Sequence, residues 1–232
     1  GLFNSAANSL KNFYLENSYN TLTVNSTLLP TPSGNAIVSY VDSHPTAYYQ
    51  PYNASTNPIG YQGVIEPTTR EAALITNALN AVSAQIPVGL NLDGDGDGFV
   101  DHISFEVYST NANPLPGIFF SRSTYDTTGT VTLNGLKVGT YTWSTADQIS
   151  PGFPLGNTEI HEMGHSFGFP DLRHNGGRTP VGNYDYMSAS TATTHAGAYE
   201  KFRSTSWITS IPVISAYGSY TLNDLTQATN NA

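Results

Sequence analysis

Residues 157–172 read NTEIHEMGHSFGFPDL. The chain has 232 residues, only six histidines and 11% charged side chains, yet here two histidines stand four positions apart with a glutamate directly after the first. Ile160, Met163 and Phe167 supply an apolar face, and the breakers Pro151, Gly152, Pro154 and Gly156 come just before. The pattern predicts a helix from about Thr158 to Phe167 that ends at Gly168, with Pro170 forbidding continuation. On a helix, residues four apart share a face roughly 6 Å apart along the axis, so the imidazoles of His161 and His165 converge on one ion. Glu162 lies about 100° around from His161, within reach of a water on that ion without being a ligand itself.

His-Glu-x-x-His at this spacing is the pattern of zinc hydrolases. Such a site needs a third protein ligand and an open position. If Gly168 turns the chain back in a left-handed conformation, Asp171 falls beneath the helix end and its carboxylate closes the set. His174 is the fallback ligand and Glu200 a more distant one. The chemistry expected is peptide hydrolysis by a zinc-bound water, with Glu162 as general base.

The totals agree with a globular, turn-rich chain: 38% apolar residues, 12% aromatic, Gly 21 and Pro 14. With no cysteine, any metal must be held by His, Asp, Glu or backbone oxygen. Asp+Glu 17 against Lys+Arg 8 gives a net charge of -9, which argues against nucleic acid as a partner. No stretch approaches the roughly 18 apolar residues of a membrane span.

Part of the acidity is concentrated in LDGDGDGFVDH, residues 92–102. Asp93, Asp95 and Asp97 at alternate positions, with Gly98 for the turn, match the opening of a calcium loop that the carbonyl of Phe99 and the carboxylate of Asp101 complete. Ser104 stands where a helix-loop-helix calcium site carries its bidentate glutamate, and a strand pattern follows. The expectation is therefore a structural calcium, not a sensor.

The segments HEMGHSFGFPD and YDYMSAS together resemble the metzincin zinc peptidases, the second stretch being similar to their methionine turn. Within that group the chain is most similar to the immune inhibitor A type of secreted bacterial metallopeptidase, through the Gly-x-Pro-Asp ending, DGDGDGFVDHISF upstream and AGAYEKF downstream. The resemblance spans roughly Phe3 to Trp207. It implies a secreted, calcium-stabilised zinc endopeptidase, made with a leader and propeptide, with Met187 as an apolar floor below the zinc. It also implies a parent protein that continues past Ala232 into β-rich modules, residues 208–232 being the lead-in. Some metzincins carry a tyrosine two residues after the methionine to steady the oxyanion; here that position is Ala189. Tyr184, Tyr186 and His195 are the remaining candidates for the oxyanion or the cleft.

Elsewhere the patterns predict a helix within Asn4–Tyr19, a strand over TLTVNSTLL, and a long loop through SHPTAYYQPYNASTNPIGYQG. A second helix, capped by Thr68 or Thr69 and ending near Ile86, buries Ala72, Leu74 or Ile75, Leu79 and Val82. HISFEVYS reads as a buried strand, with short strands near GIFFS, TVTLNG and KVGTYTW, and AGAYEKFRSTSWI as a last helix. The fold expected is one α+β domain over residues 1–232, metzincin-like, with a twisted mixed sheet, a backing helix and an active-site helix below a cleft. It acts as a monomer on an extended peptide or protein segment. The competing reading is a catalytically inactive, calcium-dependent binding or adhesion module on the same scaffold.

Overall fold

The computed structural model describes residues 3–5, 9–108, 117–145, 157–173, 179–189 and 194–221. In chain order its helices are α1 (Leu10–Asn17), α2 (Glu66–Val82), α3 (Asn157–Ser166), α4 (Tyr186–Ala189) and α5 (Ala198–Arg203). The strands are β1 (Phe99–Val100), β2 (Ile103–Val107), β3 (Arg122–Tyr125), β4 (Thr132–Leu133), β5 (Leu136–Val138) and β6 (Thr140–Thr145). The architecture is α+β with small mixed sheets. Two compact units form, one from Gly1–Ser26 with Gln148–Ala232, the other from Thr27–Asp147. Among the described residues no helix is long and apolar enough to cross a membrane.

In the unit Thr27–Asp147 the strands make two three-stranded sheets, β1-β5-β4 and β2-β6-β3, in place of the one twisted sheet expected. β6 is the central strand of the larger sheet, parallel to β2 and antiparallel to β3, and its residues Tyr141 to Ser144 are all buried. α2 packs Leu74, Ile75 and Leu79 into a core with Tyr49, Val100, Ile118, Phe119, Val138, Tyr141 and Trp143. This is the helix face that the apolar spacing predicts, because residues three and four apart line one stripe.

Two boundaries differ from expectation for local reasons. α2 begins at Glu66, ahead of Thr68 and Thr69, because Pro67 is well placed in a first turn where its missing N–H has no helical partner anyway. Thr69 sits inside the helix instead, its Oγ1 donating back to the Ile65 carbonyl at 3.2 Å. The strand expected at GIFFS falls at Arg122–Tyr125. Ile118 and Phe119 are buried as loop side chains, and the Ile118 N–H donates to the Tyr49 carbonyl at 3.3 Å instead of to a strand.

Glu71 lies on the buried face of α2, a position that an apolar pattern does not anticipate. Its Oε1 accepts from the Arg122 guanidinium, from the Tyr141 hydroxyl at 2.8 Å and from the Trp143 indole N–H at 2.8 Å. One carboxylate thus ties α2 to β3 and β6.

In the other unit, α1 falls within the span predicted for the first helix. Ser9 caps it by accepting the Asn12 N–H at 3.1 Å, and Tyr19 and Asn20, at φ of 56° and 63°, end it. TLTVNSTLL does not form a strand. Leu22 and Val24 pack onto the core while their neighbours face out, which produces alternation without a ladder. The Asn4 side chain serves as a local partner, donating to the Ser26 carbonyl and accepting the Ser26 N–H at 2.9 Å. The core joins Leu10 and Tyr14 of α1, Ile160 and Met163 of α3, Phe169, Tyr186 and Met187 of α4, and Ala196. The Tyr14 hydroxyl donates to the Ile160 carbonyl at 2.6 Å, which pins α1 to α3. Lys201 of α5 is fully buried; its Nζ donates to the Tyr19 hydroxyl at 3.0 Å, and burial pulls its pKa down to about 8.

Removing Glu71 leaves two buried donors, Tyr141 and Trp143, and the half-buried Arg122 guanidinium without their acceptor. Glu71→Ala is expected to cost about 3–5 kcal/mol, read as a lowered urea midpoint, the range for breaking a buried charged network by deleting one partner.

Candidate metal centre

α3 carries His161, Glu162 and His165, and it ends as the sequence predicts. Gly168 takes φ +82°, its N–H donates to the His165 carbonyl at 3.0 Å, and the Phe169 N–H donates to the Gly164 carbonyl at 3.2 Å. That pair of bonds is a Schellman cap, which a residue with a Cβ enters only at a cost. The cap also has a second effect. It turns the Phe169 carbonyl back onto the helix, where it receives the Nδ1–H of His165 at 2.7 Å.

His161 is held in the same way by another element. Its Nδ1–H donates to the Tyr186 carbonyl of α4 at 3.2 Å. With each Nδ1 committed to a carbonyl, each Nε2 keeps its lone pair, the tautomer a metal ligand needs. Burial lowers the pKa of His161, outweighing the Tyr186 carbonyl and the Asp171 carboxylate that act in the opposite direction, so the neutral ring is favoured.

Asp171 arrives beneath the helix end. Its Oδ1 lies 3.0 Å from His161 Nε2 and 4.0 Å from His165 Nε2, and one donor atom from each of the three residues falls within 4.8 Å of the others. Two lone-pair nitrogens and a carboxylate oxygen facing one another repel unless a cation lies among them. The donor set therefore fits a divalent ion held by two imidazoles and one carboxylate, with Asp171 half-exposed on the open side.

α4 approaches α3 closely, and Gly164 is what permits it. A Cβ at Gly164 would lie 2.6 Å from the Tyr186 hydroxyl oxygen and 2.8 Å from Met187 Sδ. Met187 is completely buried against the helix that carries both histidines.

Among the described residues, the remaining sequence candidates are not in the donor group. Glu162 is half-buried on α3 between the two histidines. Tyr186 is a core ring, 1% exposed and edge-on to Phe13 and Phe169, whereas Tyr184 is 83% exposed. His195 Nε2 is 3.1 Å from Glu16 Oε1, paired with α1. Glu200 is buried on α5 outside the donor group; burial and Asp185 raise its pKa. His174 lies outside the described residues. What the sequence reading missed is the set of backbone carbonyls that orient the histidines; only Gly168, the signature of the cap, hinted at one of them.

The second acidic group forms in the other unit. Carboxylate oxygens of Asp93, Asp95 and Asp101 lie within 4.8 Å of one another. Asp93 accepts N–H groups from Gly96, Asp97 and Gly98 at 2.7–3.0 Å, and Asp101 accepts that of Gly94 at 3.0 Å. Partial burial raises the pKa of Asp101, and the charges of Asp95, Asp93 and Asp97 add to it against the Gly94 N–H. Asp97 turns its Oδ1 to the Phe99 N–H at 2.8 Å and is not in the group; Phe99 opens β1.

A scan against protein-family models finds no match, and a search among curated proteins finds no significant relative.

If Asp171 completes the donor set, Asp171→Ala should weaken zinc binding by more than the ~10–100-fold that loss of a supporting group costs, while Glu200→Gln leaves it unchanged. Competition against a chromophoric chelator measures both.

Proposed function

We propose that the chain is a zinc-dependent endopeptidase of metzincin type, with His161, His165 and Asp171 holding the metal and Glu162 acting as general base. One observation carries this reading. Both imidazoles have their Nδ1 groups tied to backbone carbonyls, so that their Nε2 lone pairs converge with Asp171 Oδ1. When bound there, zinc supplies Lewis acidity, polarising a carbonyl and making water nucleophilic near neutral pH.

The protein's own groups do the rest. Glu162 accepts the proton from the attacking water and returns it to the leaving amine. Its place directly after His161 on the rigid helix fixes its carboxylate relative to the histidines without spending it as a ligand. Met187, buried against Gly164, keeps an apolar floor under the donor set. The substrate is a protein or peptide segment in extended form taken by a monomer, and the resemblance to the immune inhibitor A type supports an extracellular setting. Calcium on the Asp93, Asp95 and Asp101 oxygens belongs to the same reading, as a structural ion that relieves their mutual repulsion.

Glu162→Ala is expected to keep its zinc and its melting temperature while casein or gelatin hydrolysis falls by about 10²–10⁴-fold. Cleavage at the wild-type rate would remove Glu162 from its role, and a wild-type chain that binds zinc yet cleaves nothing would favour the inactive binding module. A calcium-selective chelator should lower the melting temperature by about 5–10 °C relative to protein in calcium about a hundredfold above its Kd. An unchanged melt removes the calcium.

A further inference from the structure

We propose that Asp185 is a positioning residue of the metal centre, gripping the peptide group between Tyr186 and Met187 from the side opposite His161. The inference rests on the zinc reading above and adds a residue to it.

The Tyr186 carbonyl that receives His161 Nδ1–H and the Met187 N–H belong to one peptide group. That group is planar and trans, so its N–H and C=O point in opposite directions and rotate together. Asp185 Oδ1 accepts the Met187 N–H at 2.8 Å. Whatever fixes that N–H fixes the carbonyl, and through the carbonyl the plane of the His161 ring.

Asp185 is itself held hard. It is 3% exposed, and its Oδ2 accepts the Gly197 N–H at 2.6 Å, directly before α5. Its main-chain carbonyl accepts the Ser188 N–H at 3.1 Å. Both carboxylate oxygens are thus occupied by backbone N–H groups from two different segments.

The turn that Asp185 organises also holds the segment directly after the third donor. The Met187 carbonyl accepts the Leu172 N–H at 3.1 Å, and the Ser188 carbonyl accepts the Arg173 Nε–H at 2.9 Å. Three consecutive carbonyls therefore serve His161 and the two residues that follow Asp171. Asp185 thus caps α4 through the Met187 N–H, and the carbonyls of that capped turn are the ones that serve these residues.

Asp126 provides a matched control. It is 5% exposed and accepts the backbone N–H groups of Thr128 at 2.9 Å and Val131 at 3.0 Å, but in the other unit. The experiment compares full-length Asp185→Ala, Asp185→Asn and Asp126→Ala for thermal stability, for zinc affinity by competition, and for the visible ligand-field spectrum after cobalt loading. Asp185→Ala should bind zinc about 10–100-fold more weakly with an altered cobalt spectrum. Asp185→Asn, which keeps one acceptor oxygen, should shift both in the same direction by less. Asp126→Ala should lose stability yet keep wild-type affinity and spectrum.

Wild-type affinity and spectrum in Asp185→Ala overturn the proposal, as does equal weakening in Asp126→Ala. If Asp185→Ala does not fold, wild-type affinity and spectrum in Asp185→Asn overturn it alone. A wild-type chain that takes up neither zinc nor cobalt removes the zinc reading, and this inference with it; a wild-type chain that binds both isolates the question to Asp185.

Discussion

Two hydrogen bonds, one each from His161 and His165 to a backbone carbonyl, are the constraint on which the candidate centre depends. They select the tautomer and orient both rings so that their Nε2 atoms lie near Asp171 Oδ1. The accepting residues, Phe169 and Tyr186, are each 1% exposed, and their side chains sit in the same apolar cluster. The precision of a polar site is therefore set by hydrophobic packing. The aromatic rings fix the backbone, the backbone fixes the carbonyls, and the carbonyls fix the imidazoles.

The chain carries few charged residues, and the acids are put to consistent use. Asp93, Asp126 and Asp185 each accept two or more backbone N–H groups, and Glu71 gathers three side-chain donors. Carboxylates accept strongly and in several directions, so each can close a turn or tie elements together where the loops are too irregular to satisfy themselves. This suits a molecule with small sheets and short helices, in which few backbone groups find partners in long ladders.

Much of this could be read from the sequence where the signal was local and periodic. The helix that carries the histidines, its glycine stop, the buried face of α2 and the arrival of Asp171 near the histidines all follow from spacing within about a dozen residues, as does β2, although that strand is half-buried and not buried as expected. What could not be read depends on partners distant in the chain. TLTVNSTLL alternates like a strand, but alternation reports one buried face and not the presence of a neighbour to pair with. Hydrophobicity pointed to GIFFS, whereas the ladder with β6 takes Arg122–Tyr125. Glu71 and Asp185 look like ordinary surface acids in one dimension, and their importance appears only when Trp143 or Gly197 is brought beside them. The division of the strands into two sheets likewise depends on pairings that no local window contains.

All three donors, from His161 to Asp171, lie within a single helix and the turn that ends it. A chelate ring closed over so short a stretch of chain gives up little configurational freedom in the denatured ensemble, because loop-closure entropy grows with the length enclosed. An ion captured there would order the helix and its reversal early, before the distant segments that supply α1 and α4 had docked. With such an ion bound, the Schellman turn would make the site a seed for assembly as well as its product.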